Sequence, residues 1–355
     1  MTHLTWSEQL GKRVRSGDWT DQVIPTVTKI QEALRAAGDE TGISAGRREI
    51  AAQLVDYFME EAKVLYAIYK SWSEGFVTWL ERQGTTPAER DDELSRLARL
   101  MAYPDGTPFE PASRWAELGA RAGRLGHRIR GGDVPAEAAI AEVDGLLENW
   151  RRLHDRYVDM VSGLLAFVAR RYGEARVEDC YRHVMEPFIQ DRYMSFDVRL
   201  QDYRKTVPRN LYLAIEAMRA HVGGPARRGT MELAEHDDRY ELRFDPCGSG
   251  GRMLRGDPLT GTGSRVLPPY EFGITRERYD WAWNEKGICY YCAHCCLALE
   301  RMPAERWGHP LRVVDPPVWG GEGAESTTRK CQWTIYKSLE AIPARAYERI
   351  GLRKP

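Results

Sequence analysis

Residues 48–79 decide the fold of the N-terminal half and have the sequence REIAAQLVDYFMEEAKVLYAIYKSWSEGFVTW. Their large apolar side chains recur at steps of three, four or seven residues, which places them on one face of a helix. Gly75 is the only glycine of this stretch, and proline is absent from it. The pattern therefore predicts a long helix that packs one apolar face against its neighbours. The residues of that face are Ile50, Leu54, Phe58, Leu65, Tyr69, Trp72, Phe76 and Trp79.

A second long helical pattern starts after Pro135 and ends at Gly173, a residue type that favours helix ends. His154 lies on its apolar face. A hydrogen-bonded core histidine is predicted there rather than a metal ligand, because no Glu-x-x-His repeat accompanies it. Breaks rich in glycine and proline separate further helical segments, at 6–36, 88–102, 111–129, 176–203 and 208–221. Together these segments predict an antiparallel helical bundle over residues 1–222.

The character of the sequence changes at residues 223–229, whose Gly-Gly-Pro-Ala-Arg-Arg-Gly run is typical of a turn or linker. Beyond it, short strands are predicted at 239–244, 311–314 and 332–336, with long loops between them. The predicted fold class is therefore α+β. A helical bundle domain over residues 1–222 is followed by a small cysteine-rich, metal-binding α+β domain over residues 230–355.

The charge balance limits the classes of partner. The 355 residues include 51 basic and 52 acidic side chains, a formal net charge of -1, which gives no reason to expect nucleic acid or an acidic membrane surface. The N-terminus lacks a basic segment followed by an apolar run, and the longest apolar stretch, 161–169, is too short to span a bilayer. A cytoplasmic protein with a small-molecule ligand is predicted. The sequence does not indicate an oligomeric state.

Cysteine placement is the most informative feature of the C-terminal part. Of 7 cysteines, 6 lie after residue 246, and four of them fall within Cys-Tyr-Tyr-Cys-Ala-His-Cys-Cys at 289–296, hereafter the octad. Because cytoplasmic thiols stay reduced, such a cluster favours metal binding over disulfides. The Cys292-x-x-Cys295 spacing is typical of zinc knuckles, and Cys247 and Cys331, each at a strand end, are predicted to complete a tetrahedral zinc site.

Alternatives to this ligand set remain open. Cys289, His294 and Cys296 compete with the chosen ligands, and an iron–sulfur cluster competes with zinc. A redox or disulfide role, or plain packing of small apolar side chains, would account for the cysteines without any metal.

Several side chains near the octad are candidates for chemistry and ligand binding. His294 and Glu300 are close in sequence to the thiols and are predicted to move a proton. Trp283, Tyr291 and Trp307 are predicted to line a pocket for a flat or apolar ligand, with a domain core as the alternative. Arg252 is predicted to hold a carboxylate.

Three short motifs carry a resemblance to a known family. They are residues 244–251 around the strand-end cysteine, residues 291–295 with Tyr-Cys-x-x-Cys, and residues 328–336 with Thr-x-x-Cys before the last strand. Over residues 230–340 the chain resembles the L-2-amino-thiazoline-4-carboxylic acid hydrolase-like family. Members carry an acidic residue soon after the second cysteine, whereas here Glu300 is the first carboxylate.

Two classes of function follow from these observations. In the first, the protein is a zinc-dependent hydrolase of a small amino-acid-like or heterocyclic substrate with a C–N or C=N bond, in which the metal activates water. In the second, the metal is structural and the protein is a non-catalytic ligand-binding, sensor or accessory protein. The surplus of thiols favours a closed site, while the aromatic and histidine neighbours favour an enzyme.

Overall fold

The chain is described here by a computed structural model, which covers residues 2–36, 44–320 and 330–355. It combines helices with small antiparallel sheets, so the predicted α+β class is confirmed. The helices of the N-terminal half are α1 (Trp19–Gln22), α2 (Thr26–Arg35), α3 (Ala45–Arg82), α4 (Pro87–Met101), α5 (Pro111–Gly131), α6 (Ala136–Tyr172), α7 (Arg176–Tyr193) and α8 (Tyr203–Ala220).

Helix α3 is the central element of this half. It runs for 38 residues and packs against α2, α5, α6, α7 and α8. The apolar face predicted from the sequence is buried except at its first residue, Ile50, which is half-buried. The partner helix α6 ends where Gly173 takes φ 93°, as its position in the pattern predicts. Burial of the α3 stripe, rather than helix propensity, holds such a long helix in place.

The first predicted helix, 6–36, is wrong in its first half. Residues Leu4–Ser7 (β1) and Lys12–Arg15 (β2) form an antiparallel hairpin before α1 and α2. Gly11 and Gly17 adopt positive φ at the turns on either side of β2, and Pro25 separates α1 from α2. A single helix cannot pass through these conformations.

A four-stranded sheet organises the C-terminal part. Its strands are β3 (Glu232–Glu235), β4 (Arg239–Arg243), β5 (Val313–Asp315) and β6 (Gln332–Tyr336), in the order β3-β4-β6-β5 and all antiparallel. Strands β4, β5 and β6 correspond to the three predicted ones. Residues 328 and 329, part of the third family motif, lie outside the described residues.

Four short α-helices also belong to the C-terminal part of the described chain. They are α9 (Gly250–Arg255), α10 (Ala293–Cys295), α11 (Met302–Trp307) and α12 (Ala344–Glu348). A π-helical turn, Cys296–Arg301, joins α10 to α11. The second half of the octad therefore lies on helical backbone, and the π-helical turn that follows it contacts β5.

The two halves meet through buried polar contacts as well as apolar packing. The Tyr69 hydroxyl on α3 lies 2.9 Å from that of Tyr291 in the octad, and Asn210 on α8 donates to the Leu311 carbonyl at 2.7 Å. Buried apolar side chains of both halves belong to one continuous core. The predicted domain boundary near residues 223–230 stays a prediction. In the described ranges, no helix is both long and apolar enough to cross a membrane.

Two glycines inside helices allow a matched test of this packing. A methyl group on Gly163 of α6 would lie 2.2 Å from Leu97 Cδ2 and 3.1 Å from Phe272 Cε1, whereas one on Gly123 of α5 would meet nothing within 4 Å. Gly163→Ala should lower the free energy of unfolding by about 1–3 kcal/mol because both neighbours are buried. Gly123→Ala should raise it by about 0.5–1 kcal/mol. Urea unfolding of both variants measures the difference, and shifts of the same sign would contradict this packing.

Candidate functional site

The cysteine-rich segments lie against one another at the end of the sheet. Cys247 follows β4, and its Sγ accepts the backbone N–H of Gly251 at 2.9 Å. Cys289 Sγ accepts the N–H of Cys292 at 3.4 Å. A methyl group on Gly250 would lie only 2.1 Å from Cys292 Sγ. Glycine at this position is what lets the loop of Cys247 approach the octad so closely.

The prediction of a metal-binding site is wrong. No group of three or more His, Cys, Asp or Glu side chains in residues 2–36, 44–320 and 330–355 is arranged to hold a metal ion. The proposed zinc ligands Cys247, Cys292, Cys295 and Cys331 therefore do not form the predicted tetrahedral site. Without that site there is no structural reason to expect a zinc-activated water. The predicted hydrolase activity stays a prediction. The iron–sulfur alternative, which draws on the same thiols, stays a prediction without a separate test.

Most of the thiols are deeply buried, and burial sets their pKa. Burial raises the pKa of Cys295 and Cys331 well above the ordinary value, and for Cys292 a hydrogen bond with Cys289 does so together with burial. Spacing in the sequence could not reveal these pKa shifts, because they depend on how deeply each sulfur is buried.

Glu300 is enclosed by donors. Its carboxylate accepts hydrogen bonds from Trp283 Nε1 at 2.7 Å, from the Val314 N–H at 2.8 Å and from Arg349 Nη2 at 2.8 Å. Burial raises the pKa of Glu300 while Arg349 opposes that shift. These contacts lock Glu300 and Trp283 into the interior; their predicted catalytic and substrate-binding roles stay predictions.

Arg252 and Trp307 are also placed inside the protein. The Arg252 guanidinium is buried and pairs with Asp159 and with Asp155 on α6. Trp307 is buried at the end of α11. Arg252 does hold a carboxylate, but one supplied by the protein itself, and its predicted role toward a substrate stays untested.

A narrow cavity of about 70 Å³ opens between α3, α8 and the octad. Two of the predicted site residues, Tyr291 and His294, lie in its wall. The structure adds Tyr69 and Trp72 from α3 and His221 from the end of α8. The cavity is thus lined by aromatic and imidazole rings, with a volume suited to a small ligand only.

A hydrogen-bonded network reaches this cavity from the core. The Tyr69 hydroxyl lies 2.9 Å from the Tyr291 hydroxyl, 3.2 Å from His221 Nδ1 and 3.4 Å from His154 Nε2. His154 Nδ1 in turn lies 3.0 Å from an Asp155 carboxylate oxygen. His154 is thus a buried, hydrogen-bonded core residue. Burial lowers the pKa of both histidines and raises that of both tyrosines, so these four side chains are uncharged at neutral pH.

Arg312 supplies a positive charge at the cavity. It is 3% exposed, and its guanidinium donates to Asn210 Oδ1 at 2.9 Å and to the Asn210 carbonyl at 3.4 Å. It lies over the ring of Trp333, 5.0 Å from the ring centroid. Within the described part of the chain no carboxylate pairs with Arg312, and its Nη1 makes no hydrogen bond.

Trp333 adds a second unused donor to the same wall. It is 5% exposed, lines the cavity, and its Nε1 has no acceptor among the residues described. Sequence reasoning missed both residues. The signal available was a charged side chain, Arg312, inside the apolar run Leu311-Arg312-Val313-Val314.

His294 is held in a defined orientation. Its Nδ1 lies 2.5 Å from the Tyr291 carbonyl oxygen, and its Nε2 lies 3.3 Å from Cys295 Sγ. Because a carbonyl only accepts, Nδ1 carries the proton and Nε2 is the free acceptor of the neutral ring. Burial lowers the pKa of His294 to about 4, which keeps the ring neutral at physiological pH.

Comparison with known proteins adds no relative. No family model, no curated protein and no solved structure matches the chain. The resemblance to the L-2-amino-thiazoline-4-carboxylic acid hydrolase-like family therefore stays a prediction, and the site has to be interpreted from its own geometry.

The lowered pKa of His294 predicts acid sensitivity. Between pH 6.5, the ordinary value, and about 4, the unfolded chain binds a proton on this ring that the folded chain excludes. Stability should therefore rise with pH across this window and be lost as the pH falls, by up to about 3 kcal/mol from this group. Urea unfolding at several pH values should show a shallower acid loss for His294→Gln than for the wild type.

Near-ultraviolet circular dichroism at pH 7 controls for intact packing of that variant. The acid-induced loss of stability should not vanish in His294→Gln, since burial also lowers the pKa of His154, His221 and His309. Parallel stability curves for variant and wild type would show that His294 is not protected from protons in the folded protein.

Proposed function

We propose that this protein binds a small anionic molecule, of the carboxylate class, in the cavity between α3, α8 and the octad. The observation that carries the proposal is Arg312, a buried guanidinium in the cavity wall without a carboxylate partner among the described residues. A buried charge without a counter-ion is costly, and a bound anion offsets that cost.

The donor arrangement favours a carboxylate. Among the described residues, Nη1 of Arg312 has no hydrogen-bond partner, and Trp333, whose Nε1–H likewise has no acceptor, is also part of the wall. Guanidinium groups bind carboxylates through paired, charge-assisted hydrogen bonds. The rings of Trp72, Tyr69 and Tyr291 would cover the apolar part of such a ligand.

This proposal needs no metal and is compatible with either an enzyme or a non-catalytic binding protein. An amino-acid-like substrate, which the family resemblance implies, carries a carboxylate, and so does the ligand of a sensor or accessory protein. The helical half, which we propose to be an antiparallel bundle, contributes one wall of the cavity through α3 and α8, and the C-terminal part contributes Arg312 and His294.

Binding is tested with matched pairs of carboxylates and amides. Acetate and propionate should raise the melting temperature of the wild type, while acetamide and propionamide should not. A carboxylate at 100 times its Kd should add about 2.7 kcal/mol to the free energy of unfolding. Arg312→Gln should abolish this stabilisation, because it removes the buried guanidinium proposed to bind the carboxylate.

Arg209→Gln is the matched control. Arg209 is likewise buried on α8 and pairs with no carboxylate in the described residues, but it does not line the cavity. It should leave the carboxylate effect intact. Equal stabilisation of the wild type by carboxylates and amides, or full retention of the effect in Arg312→Gln, would refute the proposal.

A further inference from the structure

We propose that Cys295 is a nucleophile, with His294 as its general base, that forms a covalent bond to an electrophilic carbon of the ligand beside Arg312. The identity of that ligand as an anion rests on the function proposed above. The pairing of thiol and imidazole stands on its own geometry.

The first support is the orientation of the pair. Cys295 Sγ lies 3.3 Å from His294 Nε2, within hydrogen-bond reach for a sulfur donor. The Tyr291 carbonyl, 2.5 Å from Nδ1, fixes the tautomer that leaves Nε2 free to accept the thiol proton. A nucleophile, a base and a group that orients the base are the three parts an activated cysteine requires.

The second support is access. Cys295 is half-buried, whereas Cys180, Cys247, Cys289, Cys292, Cys296 and Cys331 are all buried. His294 is half-buried as well, and it lines the cavity. Of the seven thiols, the one paired with the imidazole is therefore also the least buried.

The third support is the charge beside the thiol. Burial raises the pKa of Cys295, as do Cys247, Glu300 and Cys289, and the positive charge of Arg312 acts in the opposite direction. A carboxylate bound at Arg312 would favour the imidazolium form of His294, because opposite charges stabilise each other. Proton transfer from Cys295 to His294 is then assisted by the ligand itself, and an anionic electrophile should react best.

The step is an ordinary nucleophilic addition or displacement. His294 Nε2 takes the thiol proton while sulfur forms a bond to carbon. With a C=O or C=N carbon, the π electron pair moves to oxygen or nitrogen, which receives the proton back from His294. With an alkyl iodide, the carbon–iodine bond breaks, iodide leaves, and the proton passes to solvent. No oxidant or further reactant is needed.

Iodoacetate and iodoacetamide are the probes, because they share one reaction and differ in charge. Mass spectrometry follows the alkylation rate at Cys295, with buried Cys180 as the internal reference. Cys295 should react faster than Cys180 with both reagents, and faster with iodoacetate than with iodoacetamide. His294→Gln should lower both rates at Cys295 by about a hundredfold or more. Arg312→Gln should lower the iodoacetate rate on the order of tenfold and largely spare the iodoacetamide rate.

Cys296→Ser controls for a general effect of substitutions in this helical segment. Cys296 follows Cys295 directly, but it is buried and its thiol donates to the Asp280 carbonyl. This variant should leave both rates at Cys295 unchanged. Urea unfolding confirms that each variant is folded before it is alkylated. If His294→Gln keeps the wild-type rates, or if Cys295 reacts no faster than Cys180, the nucleophile proposal is overturned. If both rates depend on His294 but do not differ between reagents, the thiol–imidazole pair is supported and the anion pocket is overturned.

Discussion

Two carboxylates one turn apart on α6 hold the C-terminal part against the helices. Asp159 accepts hydrogen bonds from Arg252 and from Arg265, the latter at 3.1 Å, and Asp155 accepts one from Arg227 at 2.6 Å. All five side chains are buried. Removing one partner of such a buried pair leaves an uncompensated charge and costs about 3–5 kcal/mol. The position of the octad relative to α3 and α8, and hence the cavity, depends on these ion pairs.

The same Asp155 organises the polar network behind the cavity. It accepts from His154 Nδ1, which sets the tautomer of that ring and leaves Nε2 facing Tyr69. Tyr69 then contacts Tyr291, whose own carbonyl orients His294. A chain of hydrogen bonds thus runs from the buried ion pairs to the imidazole at the cavity, and every ring along it is held by its neighbour.

The sequence predicts the parts of this molecule that follow local rules. The apolar stripe of α3, the Gly173 end of α6 and the β-branched and aromatic run of β6 are properties of short segments, and the structure contains all three. The hairpin β1–β2 was missed because its turns depend on Gly11 and Gly17, which a search for helical spacing passes over. The site was located in part: His294 and Tyr291 were named, but Arg312 and Trp333 were not. Among the described residues Arg312 has no carboxylate partner and Trp333 Nε1 has no acceptor, and only the three-dimensional neighbours of these side chains reveal this.

The π-helical turn Cys296–Arg301 begins shortly after His294 and contains Glu300. His294 precedes it and lines the cavity, while Glu300 lies at its far end, clamped by Arg349 and by the Val314 N–H of β5. The short helix therefore cannot rotate about its axis without breaking several hydrogen bonds to a fully buried carboxylate. The hydrogen bonds of Glu300, which does not line the cavity, thus help to fix the direction in which the His294 ring points.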